Sequence, residues 1–316
     1  MSPKTRRSFL KRAGATALAA GAVPGLAAAD EGFTVVETPT AEDLYDVVRA
    51  TDGAYAAGSG GVALERTADG WRTLFDGGVS GNGNGLYGAS VTDDGERVWF
   101  VGASGAVGEY DVIADTLYDR SNPLDSGNNF NDVAVTGPAG EANVYVAGDS
   151  GKVFYSFENG ETETWEYVTP GSGSGLSAID FHDDRAGHVV DTNQKVFATD
   201  DGSTWEPVGI ADANVNFYGV DSDGADDVYV SGGNGSVFDL TDAAWELSNL
   251  GDASLRDVEV GAAGDAGLTV GGGGKVFELG ADGWTQLSTP TGANLKAVLR
   301  GGTDVAVGAA GTVIER

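Results

Sequence analysis

GFTVVETPTAEDLYDVVR, Gly32 to Arg49, lines up without a gap on GWTQLSTPTGANLKAVLR, Gly283 to Arg300. The second stretch holds an outer strand, a turn and the opening strand of a unit that ends at Arg316 after only three strands. One chain end therefore lacks a fourth strand and the other end carries a copy of it. This predicts a ring closed by the N-terminus, with residues 33–40 completing the last unit. A solenoid would cap its ends instead.

Working outward, a bulky apolar residue followed three positions later by a smaller one recurs at Leu44/Val47, Leu86/Ala89, Phe130/Val133, Leu176/Ile179, Phe217/Val220, Leu255/Val258 and Leu295/Val298. The spacings are 42, 44, 46, 41, 38 and 40 residues. Each start leads into a second strand, a glycine-rich hairpin and a third strand, as in VWFVGASGAVGEY and VYVSGGNGSVFDL. Most units then add a segment centred on an aromatic, such as GWRTL or TWEPV. Four short strands per unit of roughly 40 residues is the pattern of a propeller blade, with glycine supplying the positive φ of the tight turns. The predicted fold is an all-β, seven-bladed β-propeller of four-stranded blades over residues 30–316, with blades starting near 44, 86, 130, 176, 217, 255 and 295.

One unit, LSAIDFHDDRAGHVVDTNQKVFATDDGSTWEPV (Leu176 to Val208), resembles a repeat of the exported photosystem II assembly and stability factor propellers. It is similar more widely to WD40-like and YVTN/BNR-like repeats. Asp200, Gly202, Thr204 and Trp205 resemble the Asp-box of those families, with Ala198 where a serine is usual and Asp201 where a second glycine is usual. Decayed copies, TADGW, LTDAAW and GADGW, fall at the same place in other units. A pattern that recurs once per unit is a hairpin rather than a site: an Asp accepts from its own turn, Gly permits the bend and Trp covers the strands. The resemblance implies a basic patch that binds a client protein.

Charge narrows the partners. The chain has 18 Lys and Arg against 48 Asp and Glu, and five of the bases (Lys4, Arg6, Arg7, Lys11, Arg12) precede the first acid, so residues 30–316 carry 13 − 48 = −35. Such a surface repels nucleic acid, and it reads as adaptation to high salinity, where ions screen self-repulsion. There is no cysteine, hence no disulfide and no thiolate chemistry. Residues 1–29 read as a leader: Arg6-Arg7-Ser8-Phe9-Leu10-Lys11 resembles the twin-arginine signature, followed by an Ala/Gly/Leu run and Ala27-Ala28-Ala29. Export to the cell envelope or exterior is expected, with no membrane span in the mature chain and a monomeric state.

The chemistry-bearing residues are few. Asp221, Asp223 and Asp226 offer a weak calcium candidate without EF-hand spacing, and no other metal or cofactor is expected. His182 and His188 are the only histidines and belong to no metal motif. The feature that stands out lies on the innermost strands. At their sixth position Arg49 and Arg300 replace the apolar residue of most other blades (Val91, Val135, Phe181, Val260). Their second position holds Tyr45, Tyr87, Asn131, Ser177, Tyr218, Arg256 and Lys296. Arg49, Arg256, Lys296 and Arg300 together give a candidate anion-binding surface, or two, since positions two and six are about 13 Å apart along a strand. Tyr45, Tyr87 and Tyr218 add amphipathic contact area. The expected function is a non-enzymatic platform that binds an envelope or secreted protein; the alternative is a carbohydrate-active enzyme, glycosidase, sialidase-like or lyase, on the same ring.

Overall fold

The computed structural model describes residues 32–211, 213–241 and 244–316. Seven four-stranded antiparallel sheets follow one another along the chain, each with its strands in sequence order from the axis outward. The exception is the last sheet, whose inner three strands (Leu295–Leu299, Val305–Gly308, Val313–Glu315) are completed by Thr34–Val36. Thr34 pairs with Glu315, Val35 with Ile314 and Val36 with Val313. The expected seven-bladed ring and its closure are thus observed. The proposed leader lies outside the described residues.

The core lies between blades rather than within them. Strands alternate side chains across a sheet, so the two faces of each blade meet its two neighbours. Leu44, Val47, Leu64 and Trp71 of blade one, for example, pack on Leu299, Val305 and Val313 of blade seven. Gly311 shows why the hairpins need glycine. Its φ is +68°, and a Cβ there would meet the carbonyl oxygen of Thr40 in the N-terminal segment. That close approach helps fasten the N-terminus to the last blade.

The stretch from Lys195 to Val208 is a hairpin, with one correction. Asp201, not Asp200, carries the turn. Its Oδ1 accepts from the backbone N–H groups of Ser203 (2.8 Å) and Thr204 (2.6 Å), and these bonds hold its carboxyl down at about 2. Asp200 is exposed. Thr199 Oγ1 accepts from the Gly202 N–H at 2.9 Å. Gly202 has φ +76°, and a Cβ on it would lie 2.6 Å from the Tyr145 hydroxyl of blade three. Trp205 is buried edge-on against Phe181.

Candidate functional site

In every blade the pairing between the first and second strands skips the residue at position two, and blade five skips Asp223 as well. A bulge of this kind re-aims a side chain. Here seven bulges aim seven side chains at the axis. Tyr45, Tyr87, Asn131, Ser177, Tyr218, Arg256 and Lys296 ring a cavity of about 810 Å³ at the end of the channel where the innermost strands begin, which we call the mouth.

The two bases at the mouth differ. Lys296 Nζ lies 2.7 Å from Asp43 Oδ2 and 3.7 Å from the centre of the Tyr45 ring. That bond, with a second from the Ala310 N–H, holds the Asp43 carboxyl below its usual range, so Lys296 is already neutralised. Arg256 is exposed and stacks its guanidinium 4.1 Å from the Tyr218 ring centre. Among the described residues no carboxylate reaches it at ion-pair distance. Tyr45 and Tyr87 meet edge to face at 5.2 Å, and burial raises the Tyr87 phenol.

Arg49 and Arg300 do not join them. They sit at the far end of the channel and are spent on neighbouring backbone. Arg49 donates to the Thr303 carbonyl of blade seven at 2.6 Å, and Arg300 to the Ala266 carbonyl of blade six at 2.6 Å. The four bases therefore form no single surface, because a six-residue strand separates positions two and six by more than the reach of one ligand group.

Asp221, Asp223 and Asp226, the weak calcium candidate, form no metal-ligating cluster among the described residues. Asp221 is fully buried, and its Oδ2 accepts from the Val260 N–H of blade six at 2.7 Å. Asp226 is exposed on the turn beyond it.

Asp221 belongs to a system that sequence reasoning missed. The innermost strand of each blade has a free edge, and its N–H groups need partners. Asp46 accepts from Ala89 (2.6 Å), Ser90 from Val135 (3.0 Å), Asp132 from Ile179 (2.9 Å), Asp180 from Ser222 (2.8 Å), Asp221 from Val260 (2.7 Å) and Asp257 from Val298 (2.9 Å). Each bond crosses from one blade to the next. The signal was present as an Asp or Ser at position three or five of the opening strand in blades one to six.

Both histidines meet at the far end, between blades four and five. His182 Nδ1 and His188 Nδ1 lie 2.9 and 2.8 Å from the one Ser222 hydroxyl. That hydroxyl has one proton, so it donates to one ring and accepts from the other. Burial first, and then His182, push His188 down to about 3. Its folded value lies below the unfolded 6.5, so the unfolded chain binds the extra proton and stability falls as pH drops from 6.5 towards 3. The slope is about 1.4 kcal/mol per pH unit. Between pH 6.5 and 5 the wild type is expected to lose about 2 kcal/mol more than His188→Asn. Equal losses in denaturant titrations of the two would refute this.

No protein-family model matches the sequence, and no curated protein matches it. Solved structures do match in shape. The WD40 propeller domain of Doa1 superposes with a TM-score of 0.71 at 11% identity over 90% of this chain and 97% of that one. YCF48 bound to D1 peptide gives 0.70 at 13% identity, covering 93% and 99%, and YCF48 from Cyanidioschyzon merolae gives 0.65 at 15%, covering 90% and 98%. A catalytically inactive virginiamycin B lyase from Staphylococcus aureus, solved with quinupristin, gives 0.75 at 13%, covering 90% and 98%. The chain is a seven-bladed β-propeller whose structural neighbours include WD40 and YCF48 propellers. At these identities the likeness is one of fold.

Proposed function

We propose that the protein is a non-enzymatic, exported platform that binds another protein of the cell envelope through its mouth face, in an organism of high salinity. The observation that carries this reading is the ring of bulged position-two side chains around an open cavity, with Arg256 uncommitted at its wall. Charge supports it. All four lysines that follow residue 29 (Lys152, Lys195, Lys275, Lys296) lie on the mouth face, three of them where the hairpins re-enter the third strands. In so acidic a chain this concentrates attraction on one side of the ring. The solved complex of YCF48 with D1 peptide is a precedent on the same fold, as analogy. The only imidazoles lie at the far end, which favours binding over acid–base catalysis at the mouth. Export by the twin-arginine route rests on the leader sequence, and no helix among the described residues is long and apolar enough to cross a membrane.

The test is capture from envelope extract at high salt, with wild-type chain and Arg256→Glu/Lys296→Glu compared side by side. One protein should be held by the wild type and recovered at about a tenth or less by the variant. Equal recovery, or turnover of an envelope polysaccharide by the purified chain, would remove the reading.

A further inference from the structure

We propose that the mouth cavity binds a sugar acid, a pyranose whose single carboxylate is taken by Arg256. The cavity, at about 810 Å³, falls within the size range of small-ligand sites. Its wall mixes the ring faces of three tyrosines with polar groups. The aliphatic residues that border it are Leu295, fully buried, and Ala309, a single methyl. Aromatic faces set beside polar groups suit a sugar ring, which presents C–H faces and an equator of hydroxyls. Among the described residues the phenol groups of Tyr45, Tyr87 and Tyr218, which line the cavity, make no hydrogen bond. Asn131 spends its amide nitrogen on Asp149 and on the Leu176 carbonyl, which leaves its oxygen to accept.

Charge sets the number and place of the anion. Lys296 is paired with Asp43, so Arg256 is the base left with its donor edge open, and its stacking on Tyr218 fixes the plane of that edge for two parallel bonds to a carboxylate. The next layer down carries Asp46, Asp132 and Asp257, whose oxygens are engaged by backbone N–H groups and keep the floor negative. A ligand with several negative charges is repelled by that floor. One carboxylate at the rim, with neutral hydroxyls directed inward, is the arrangement that satisfies both levels. The proposal goes beyond the platform reading and would survive its failure, since a protein client is not needed for it.

Isothermal titration of the full chain at high salt tests it, with galacturonate as the probe against galactose, inorganic phosphate and a short acidic peptide. Galacturonate should bind at least tenfold more tightly than galactose and than phosphate. Arg256→Met should lower galacturonate affinity about tenfold or more without moving the melting temperature, while leaving the weak galactose signal unchanged. The wild-type comparison stands even if the variant misfolds. Equal binding of acid and neutral sugar, binding of phosphate or of the peptide in preference to galacturonate, or no galacturonate binding would each overturn the proposal.

Discussion

Asp221→Ala is expected to destabilise the protein by about 3 kcal/mol, whereas Asp226→Ala, five residues further along, should change stability by less than about 0.5 kcal/mol. The difference follows from what each carboxylate does. Asp221 is fully buried between blades five and six and accepts from the Val260 N–H at 2.7 Å. Alanine removes a charge-assisted bond, worth roughly 1.5–3 kcal/mol, and leaves a buried N–H that no water reaches, at roughly 1–3 kcal/mol more. The two overlap, because some relaxation follows, so about 3 is the sum that stands. Asp221→Asn keeps an acceptor oxygen and should lose about half as much. Guanidinium titrations of the three variants, with calcium and with chelator, check this. An Asp226 effect as large as that of Asp221, or stability restored by calcium, would show that the acidic turn is an ion site and not a stitch.

The stitches also explain what was legible in the sequence and what was not. The ring was legible because repeats, glycine hairpins and the copied strand at Phe33–Thr38 are all one-dimensional signals. The members of the mouth were legible too, since counting two residues into each opening strand names all seven side chains. Their common cause, a bulge at position two, was not, because a bulge is a relation between two strands. The same limit hid the partners of Asp46, Asp132, Asp180 and Asp257. Sequence places a carboxylate on a strand but does not say which N–H of the next blade lacks a partner. It also left open whether Arg49, Arg256, Lys296 and Arg300 make one surface or two, and register divides them between two ends of the channel. Arg49 and Arg300 have become fasteners between blades because the carbonyls of Thr303 and Ala266 lie within their reach.

Six of the seven interfaces carry a stitch, and the seventh cannot. Positions three and five of blade seven are Ala297 and Leu299, which offer no side-chain oxygen to blade one. The chain crosses this seam through residues 37–43, but the strand before them, Thr34–Val36, is joined to blade seven only by its pairing with Val313–Glu315. Beside the Arg49–Thr303 and Lys296–Asp43 bonds, Glu315 is the carboxylate that ties blade seven to blade one's outer strands. Arg66 of blade one donates to both Glu315 oxygens, at 2.7 and 3.1 Å, and Trp71 Nε1 donates to Oε1 at 2.8 Å. Burial raises the Glu315 carboxyl, but these donors outweigh it and hold the group below its usual value. The stability it contributes is therefore present above the unfolded value near 4.5 and lost as pH falls through the lowered folded value.

Removing that carboxylate leaves Arg66 without its ion-pair partner and the Trp71 N–H without its acceptor, and takes from the half-buried Arg49 one of its two nearby carboxylates. Glu315→Ala is accordingly expected to cost about 3 kcal/mol or more. Arg66→Ala should cost less, because Arg66 is the more exposed partner, at 31% against 12%. The double variant should be little worse than Glu315→Ala alone, as residues in one network are not additive. Hydrogen exchange gives the second reading. In Glu315→Ala, amides of Thr34–Val36 and Val313–Glu315 should exchange faster than those of the stitched blades, since the ring then opens at its one unstitched joint. A loss under about 1 kcal/mol with exchange raised evenly around the ring would mean that the main-chain pairing of the N-terminal strand closes the propeller without the help of this carboxylate.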